Sequence, residues 1–130
     1  MTNGRVLVTV LIADDDAMIR MALSEVLEAE ADLHVVAAAA DAEEAALMAA
    51  HHAPDVAVLD VRMPGGGGAH AAREIRIRSP RTRLLAFSAY DDTGVAGELK
   101  RLGVREYLIK GVTNAEIVAA VRRAGSAVQA

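Results

Sequence analysis

Short β-branched apolar runs alternate five times with longer segments of helical spacing, and this alternation restricts the possible folds more than any other feature. The runs are Val6–Ala13, Leu33–Ala37, Val56–Leu59, Leu84–Phe87 and Tyr107–Ile109. Each is continuously apolar rather than alternating, as expected for strands buried on both faces of a parallel sheet with helices on either side. Between the first two runs, Ile19, Ala22, Leu23, Val26 and Leu27 follow the three-and-four spacing of one helix face. Asp41 with Glu44 three residues on marks the start of a second helix. A third is expected from about Ala69 to Arg78, with Pro80 beyond its end, and a fourth ends near Leu102 with Gly103 closing it. Thr113 and Glu116 have capping-box spacing and open a fifth, which continues to about Val128. The reading is a single doubly wound (βα)5 domain of the α/β class.

The 130 residues make one domain, large enough for a real core. Aromatics are 2% against 53% hydrophobic residues, so that core is aliphatic. A net charge of −4 gives no global attraction to nucleic acid or an anionic membrane. The absence of cysteine excludes disulfide and thiolate chemistry. No apolar run is long enough to span a bilayer. Val6–Ala13 runs straight into three aspartates instead of a signal-peptide cleavage site, so a cytoplasmic location is expected.

Ligands of open α/β sheets bind at the carboxyl ends of the strands. The first run ends in Asp14, Asp15 and Asp16, the third in Asp60, the fourth in Ser88 and the fifth in Lys110. Two carboxylates about 4 Å apart repel by roughly 1 kcal/mol in water and about 4 kcal/mol at an effective dielectric of 20. Lys110 supplies one offsetting charge and a divalent cation would supply two. Mg²⁺ suits one or two carboxylates with waters and phosphate oxygens. A carboxylate can then act as nucleophile and form an aspartyl phosphate, its oxygens held by Lys110 and the Ser88 hydroxyl.

The segments Val10-Leu-Ile-Ala-Asp-Asp-Asp16, Val58-Leu-Asp-Val-Arg-Met-Pro64, Phe87-Ser-Ala89 and Tyr107-Leu-Ile-Lys110 resemble the blocks of response-regulator receiver domains in two-component signalling, in family order across nearly the whole chain. The resemblance implies a flavodoxin-like strand order 2-1-3-4-5 and a phosphorylation-dependent switch. It implies Asp60 as the phosphoacceptor, Asp15 as a direct Mg²⁺ ligand, Asp14 as its partner and the Arg62 backbone carbonyl as a further ligand. Ser88 matches the hydroxyl that moves onto the phosphoryl group, Lys110 the active-site lysine and Tyr107 the aromatic that turns inward. Implied partners are a sensor histidine kinase and a second copy on phosphorylation, with DNA reached only through an output domain and no membrane contact. Tyr107–Ile117 looks closest to the branch with helix-turn-helix output, and transcriptional regulation is the implied output.

Three departures stand out. Gly65–Gly68 replaces a loop that usually holds one or two glycines, and such a run is expected to be mobile. Gly111 stands where many members have a cis-proline. The chain is read as a receiver over 1–130 with no output domain. Alternatives are a stand-alone receiver acting by protein contact and a Mg²⁺-dependent phosphohydrolase with an aspartyl intermediate. The hydrolase commonly needs a second acid two residues after the nucleophile, where this chain has Arg62. Asp16 reads as a helix cap. Arg62 and Tyr90, each two positions beyond a strand end, should flank the site mouth. His34, His51, His52 and His70 carry no assignment, and Arg73, Arg76, Arg78, Arg81 and Arg83 read as a solvated face.

Overall fold

The computed structural model describes residues 7–129, with side chains through Ser126. Strands β1 (Val8–Ala13), β2 (Leu33–Ala39), β3 (Val56–Asp60), β4 (Arg83–Ser88) and β5 (Val104–Ile109) alternate with helices α1 (Ala17–Glu28), α2 (Ala42–His52), α3 (Gly67–Arg78), α4 (Thr93–Arg101) and α5 (Asn114–Gln129). All strand pairs are parallel, in the order β2-β1-β3-β4-β5. This is the expected doubly wound sheet.

Two aliphatic cores lie on opposite faces of the sheet. Leu11, Leu59, Leu84 and Ala86 pack with Ala45, Ala49, Ile75 and Leu99 from α2, α3 and α4. Val10, Ile12, Val58 and Leu85 pack with Leu23, Leu27, Val118 and Val121 from α1 and α5. Neighbouring residues of one strand therefore serve different cores, which is why the central strands read as unbroken apolar runs. Burial on both faces holds throughout β3 and almost throughout β1 and β4. It does not hold for β2 and β5, whose residues are mostly half-exposed because they are the sheet edges.

Helix starts follow their capping chemistry. The Asp16 carboxylate accepts the Met18 and Ile19 amides at 2.9 and 3.3 Å. Asp41 accepts the Glu44 amide at 2.7 Å, while Glu44 reaches back to the Ala40 amide at 2.7 Å. Thr113 and Glu116 form a reciprocal box, with Thr113 Oγ1 accepting the Glu116 amide at 3.2 Å and Glu116 Oε1 accepting the Thr113 amide at 3.4 Å.

Several boundaries differ from the sequence reading. Val6 lies outside the described residues. The Ala-rich end of β2 extends to Ala39 because pairing with Leu11–Ala13 overrides its weak strand propensity. β5 begins three residues before Tyr107, since Gly103 at φ 94° ends α4 and the chain enters the strand at once. α3 begins at Gly67 rather than Ala69. The Gly68 amide donates to the Val61 carbonyl at 2.9 Å, and a Cβ on Gly67 would stand 2.6 Å from that oxygen. Two of the four glycines are thus helical residues that let the chain pass close to the end of β3.

Candidate functional site

The register brings the expected residues together. Ala13 pairs with Leu59, Asp60 with Phe87, and Ser88 with Ile109. Asp14, Asp60, Ser88 and Lys110 therefore end or follow adjacent strands on one edge of the sheet. Asp14 and Asp60 are 2% and 5% exposed. Asp15 is exposed.

Asp14 is held on both oxygens. Its Oδ1 accepts the Asp16 amide at 2.9 Å, and its Oδ2 meets Lys110 Nζ at 2.8 Å in an ionic contact without hydrogen-bond alignment. Arg20 Nη1 donates to the Asp14 carbonyl at 2.7 Å. Lys110 Nζ lies 3.3 Å from Asp60 Oδ1, so one ammonium bridges both buried carboxylates. The Lys110 amide donates to the Ser88 carbonyl at 2.6 Å, fixing the start of its side chain against β4. Ser88 is buried, and its hydroxyl accepts the Tyr90 amide at 3.1 Å.

Burial and the Asp14 charge push the Asp60 carboxyl up to about 6, against the opposing pull of Lys110. For Lys110, burial favours loss of the proton, but its contacts with Asp14 and Asp60 outweigh burial and raise it above the ordinary lysine value. One cation thus faces two buried carboxylates, and Asp60 carries the imbalance.

The donor set fits a hard divalent cation. Asp14, Asp15 and Asp60 each offer an oxygen, all within 4.8 Å of one another. That is an all-oxygen set around a site short of positive charge, the chemistry suited to Mg²⁺. Beside it, Asp60, Arg62, Ser88, Ala89, Tyr90 and Lys110 line a cavity of about 220 Å³.

The sequence placed Arg62 and Tyr90 at the mouth separately, but not on each other. The Arg62 guanidinium carbon lies 4.1 Å over the Tyr90 ring, and the Tyr107 hydroxyl donates to the Tyr90 carbonyl at 2.7 Å. Tyr90 therefore joins the pocket mouth to β5. Positions two beyond a strand end signal proximity to the site, but the stack depends on loop conformations that no sequence pattern encodes. Gly111 has φ 114°, and the structure has no cis peptide among the described residues.

A doubly wound parallel sheet with three acids, a hydroxyl and a lysine at its carboxyl edge defines a class of phosphoryl-accepting signalling domain. The profile described as response regulator receiver domain matches residues 10–122, and the chain belongs to that family. Receiver domains of this family are the phosphorylation-dependent switches of two-component response regulators. The chain is similar to the oxygen regulatory protein NreC of Staphylococcus haemolyticus, with 36% identity over 87% of this chain and 52% of that protein. It spans about half the length of the curated relatives it matches. Among solved structures it resembles the signal receiver domain of NarL from Mycobacterium tuberculosis, with a TM-score of 0.89, 34% identity, and 93% and 98% of the two chains covered. A LuxR-family two-component response regulator from Aurantimonas sp. gives a TM-score of 0.88 at 30% identity, with 93% and 86% covered. No helix among the described residues is long and apolar enough to cross a membrane.

Proposed function

We propose that Asp60 is the phosphoacceptor of this receiver and that residues 1–130 act as its switch, with transcriptional output through a domain outside them. The carrying observation is the Lys110 ammonium held between Asp14 and Asp60 at 2.8 and 3.3 Å, beside a cavity that Asp60 and Ser88 share. Asp14, Asp15, Asp60 and the Arg62 backbone carbonyl would hold Mg²⁺. When bound, the ion supplies charge neutralisation for the phosphoryl oxygens.

An Asp60 carboxylate oxygen attacks the phosphorus of a phosphohistidine on a sensor kinase. The P–N bond breaks, its electron pair stays on the imidazole nitrogen, and that nitrogen takes up a proton from solvent. Lys110 Nζ exchanges part of its contact with Asp60 for a phosphoryl oxygen. Ser88 moves its hydroxyl to donate to another, releasing the Tyr90 amide that it accepts in this structure. Tyr107, tied to the Tyr90 carbonyl, responds to that movement, and phosphorylation shifts a pre-existing equilibrium. Dimer formation and DNA binding would follow through such an output domain. The domain's own catalysis is limited to gaining and losing its phosphoryl group. Arg62, rather than a second acid, follows the nucleophile by two positions, which disfavours a multiple-turnover phosphohydrolase.

Incubation with acetyl phosphate and Mg²⁺ tests this reading. One stable phosphoryl group per chain supports the switch. Continuous release of phosphate would point to a hydrolase, and an unmodified chain to a receiver acting only by protein contact.

A further inference from the structure

The arginines that read as a solvated face are more organised than that. Arg76 from α3, Arg83 at the first position of β4 and Arg105 at the second position of β5 line one cavity of about 210 Å³. Arg83 opens β4 and Ser88 closes it, so the cavity lies about 17 Å from the carboxylate site at ~3.4 Å per residue.

Arg83 Nε is buried and has no hydrogen-bond partner. A guanidinium is always charged, so an unpaired buried donor is unfavourable. Among the described residues, none of the three arginines has a carboxylate within the 4.0 Å of an ion pair. The acids nearby in sequence are paired with other groups, and Glu106, held chiefly by Arg123, also feels the Arg105 charge. Glu74 pairs with Arg78 at 3.0 Å, Glu106 with Arg123 at 2.8 Å, and Asp55 accepts the Thr9 amide at 2.9 Å and the Thr9 hydroxyl at 3.2 Å. Arg76 sits in the last turn of α3, where a cation offsets the carbonyl end of the helix. That account does not reach Arg83 or Arg105, which stand on strands. Nor does overall basicity, since the chain carries a net charge of −4.

We infer that this cavity binds a phosphate-type oxyanion. Three arginines from separate elements line it, and a guanidinium carries a planar fork of donors suited to phosphate oxygens. An anion there offsets the like charges of the three arginines.

The test is an amide chemical-shift titration with inorganic pyrophosphate, in metal-free buffer at constant ionic strength. Saturable shifts are expected at Thr82–Leu84 and Gly103–Arg105. The dissociation constant should weaken at least tenfold in the double variant Arg76→Ala/Arg105→Ala, whose replaced side chains are both exposed. Arg83→Gln, which keeps a polar group at the buried position, should also weaken it, while Arg122→Ala, at a residue paired with Glu30 and Asp32, leaves it unchanged. Circular dichroism checks that each variant is folded. Repeating the titration with ADP separates the sources: equal affinity assigns the site to phosphate groups alone, and tighter binding assigns it to a nucleotide. Non-saturating shifts, an unchanged constant in the double variant, or equal weakening by Arg122→Ala would overturn the inference.

Discussion

Asp60→Asn should stabilise the metal-free domain at neutral pH, although it removes the residue proposed to carry the function. The Asp60 carboxyl is pushed from 3.8 to about 6 by burial and by Asp14. At about 1.4 kcal/mol per pKa unit, the ionised side chain costs on the order of 3 kcal/mol in the folded state. The amide removes that cost, which is already net of the 3.3 Å contact with Lys110. Solvent at the pocket mouth discounts it to a gain of about 1–2 kcal/mol. The sign follows from linkage. Between 3.8 and about 6 the folded state keeps a proton that the unfolded chain has lost. Wild-type stability therefore falls as pH rises through that window and levels off above it. The variant lacks this slope, so its advantage should be near zero at about pH 4 and full at about pH 7.5. Urea denaturation of both proteins across this range, without divalent ions, measures it. Mg²⁺ at about 100 times its dissociation constant should then stabilise wild type by about 2.7 kcal/mol and the variant far less. An Asp60→Asn variant less stable than wild type at neutral pH, or two curves parallel in pH, would refute the reasoning.

Lys110→Ala should destabilise the metal-free domain by about 2–3 kcal/mol at neutral pH, because two buried carboxylates lose their shared cation; added Mg²⁺ should recover part of the loss in thermal melts. Asp15→Asn should blunt the Mg²⁺ response of the melting temperature, and an unchanged response would remove Asp15 from the ligand set. Arg62→Ala and Tyr90→Ala should each speed loss of the phosphoryl group, as the stacked pair obstructs in-line water. Since the two are in contact, the double variant should exceed either single one by less than additivity predicts, and slower loss in Arg62→Ala would show that the arginine assists hydrolysis. Gly67→Ala should cost about 2 kcal/mol or more in urea denaturation, given φ 71° and a Cβ position 2.6 Å from the Val61 oxygen.

The strand-end residues were legible because a parallel sheet turns sequence position into spatial position. Asp14, Asp60, Ser88 and Lys110 each end or directly follow an apolar run, and in-register pairing does the rest. Caps at Asp16, Asp41 and Thr113 were legible because their side-chain chemistry is local. What escaped depended on contacts between distant segments. The Arg62–Tyr90 stack joins two loops, and the Tyr107 hydroxyl meets a carbonyl rather than a side chain. The glycine run reads as a mobile loop because its composition carries flexibility but not the close approach of Gly67 to the Val61 carbonyl. Arg83 and Arg105 belong to different strands, so reading along the chain grouped Arg83 with its helical neighbours and left Arg105 out.

The central claim is tested most directly by locating the phosphoryl group. Protein incubated with acetyl phosphate and Mg²⁺ is reduced with borohydride, which traps an acyl phosphate as a stable alcohol, and the modified residue is mapped by peptide mass spectrometry. The account predicts one modification, at Asp60, dependent on Mg²⁺ and absent from Asp60→Asn. A modification at another residue in wild type, or no modification of a folded, Mg²⁺-binding wild type, would contradict it.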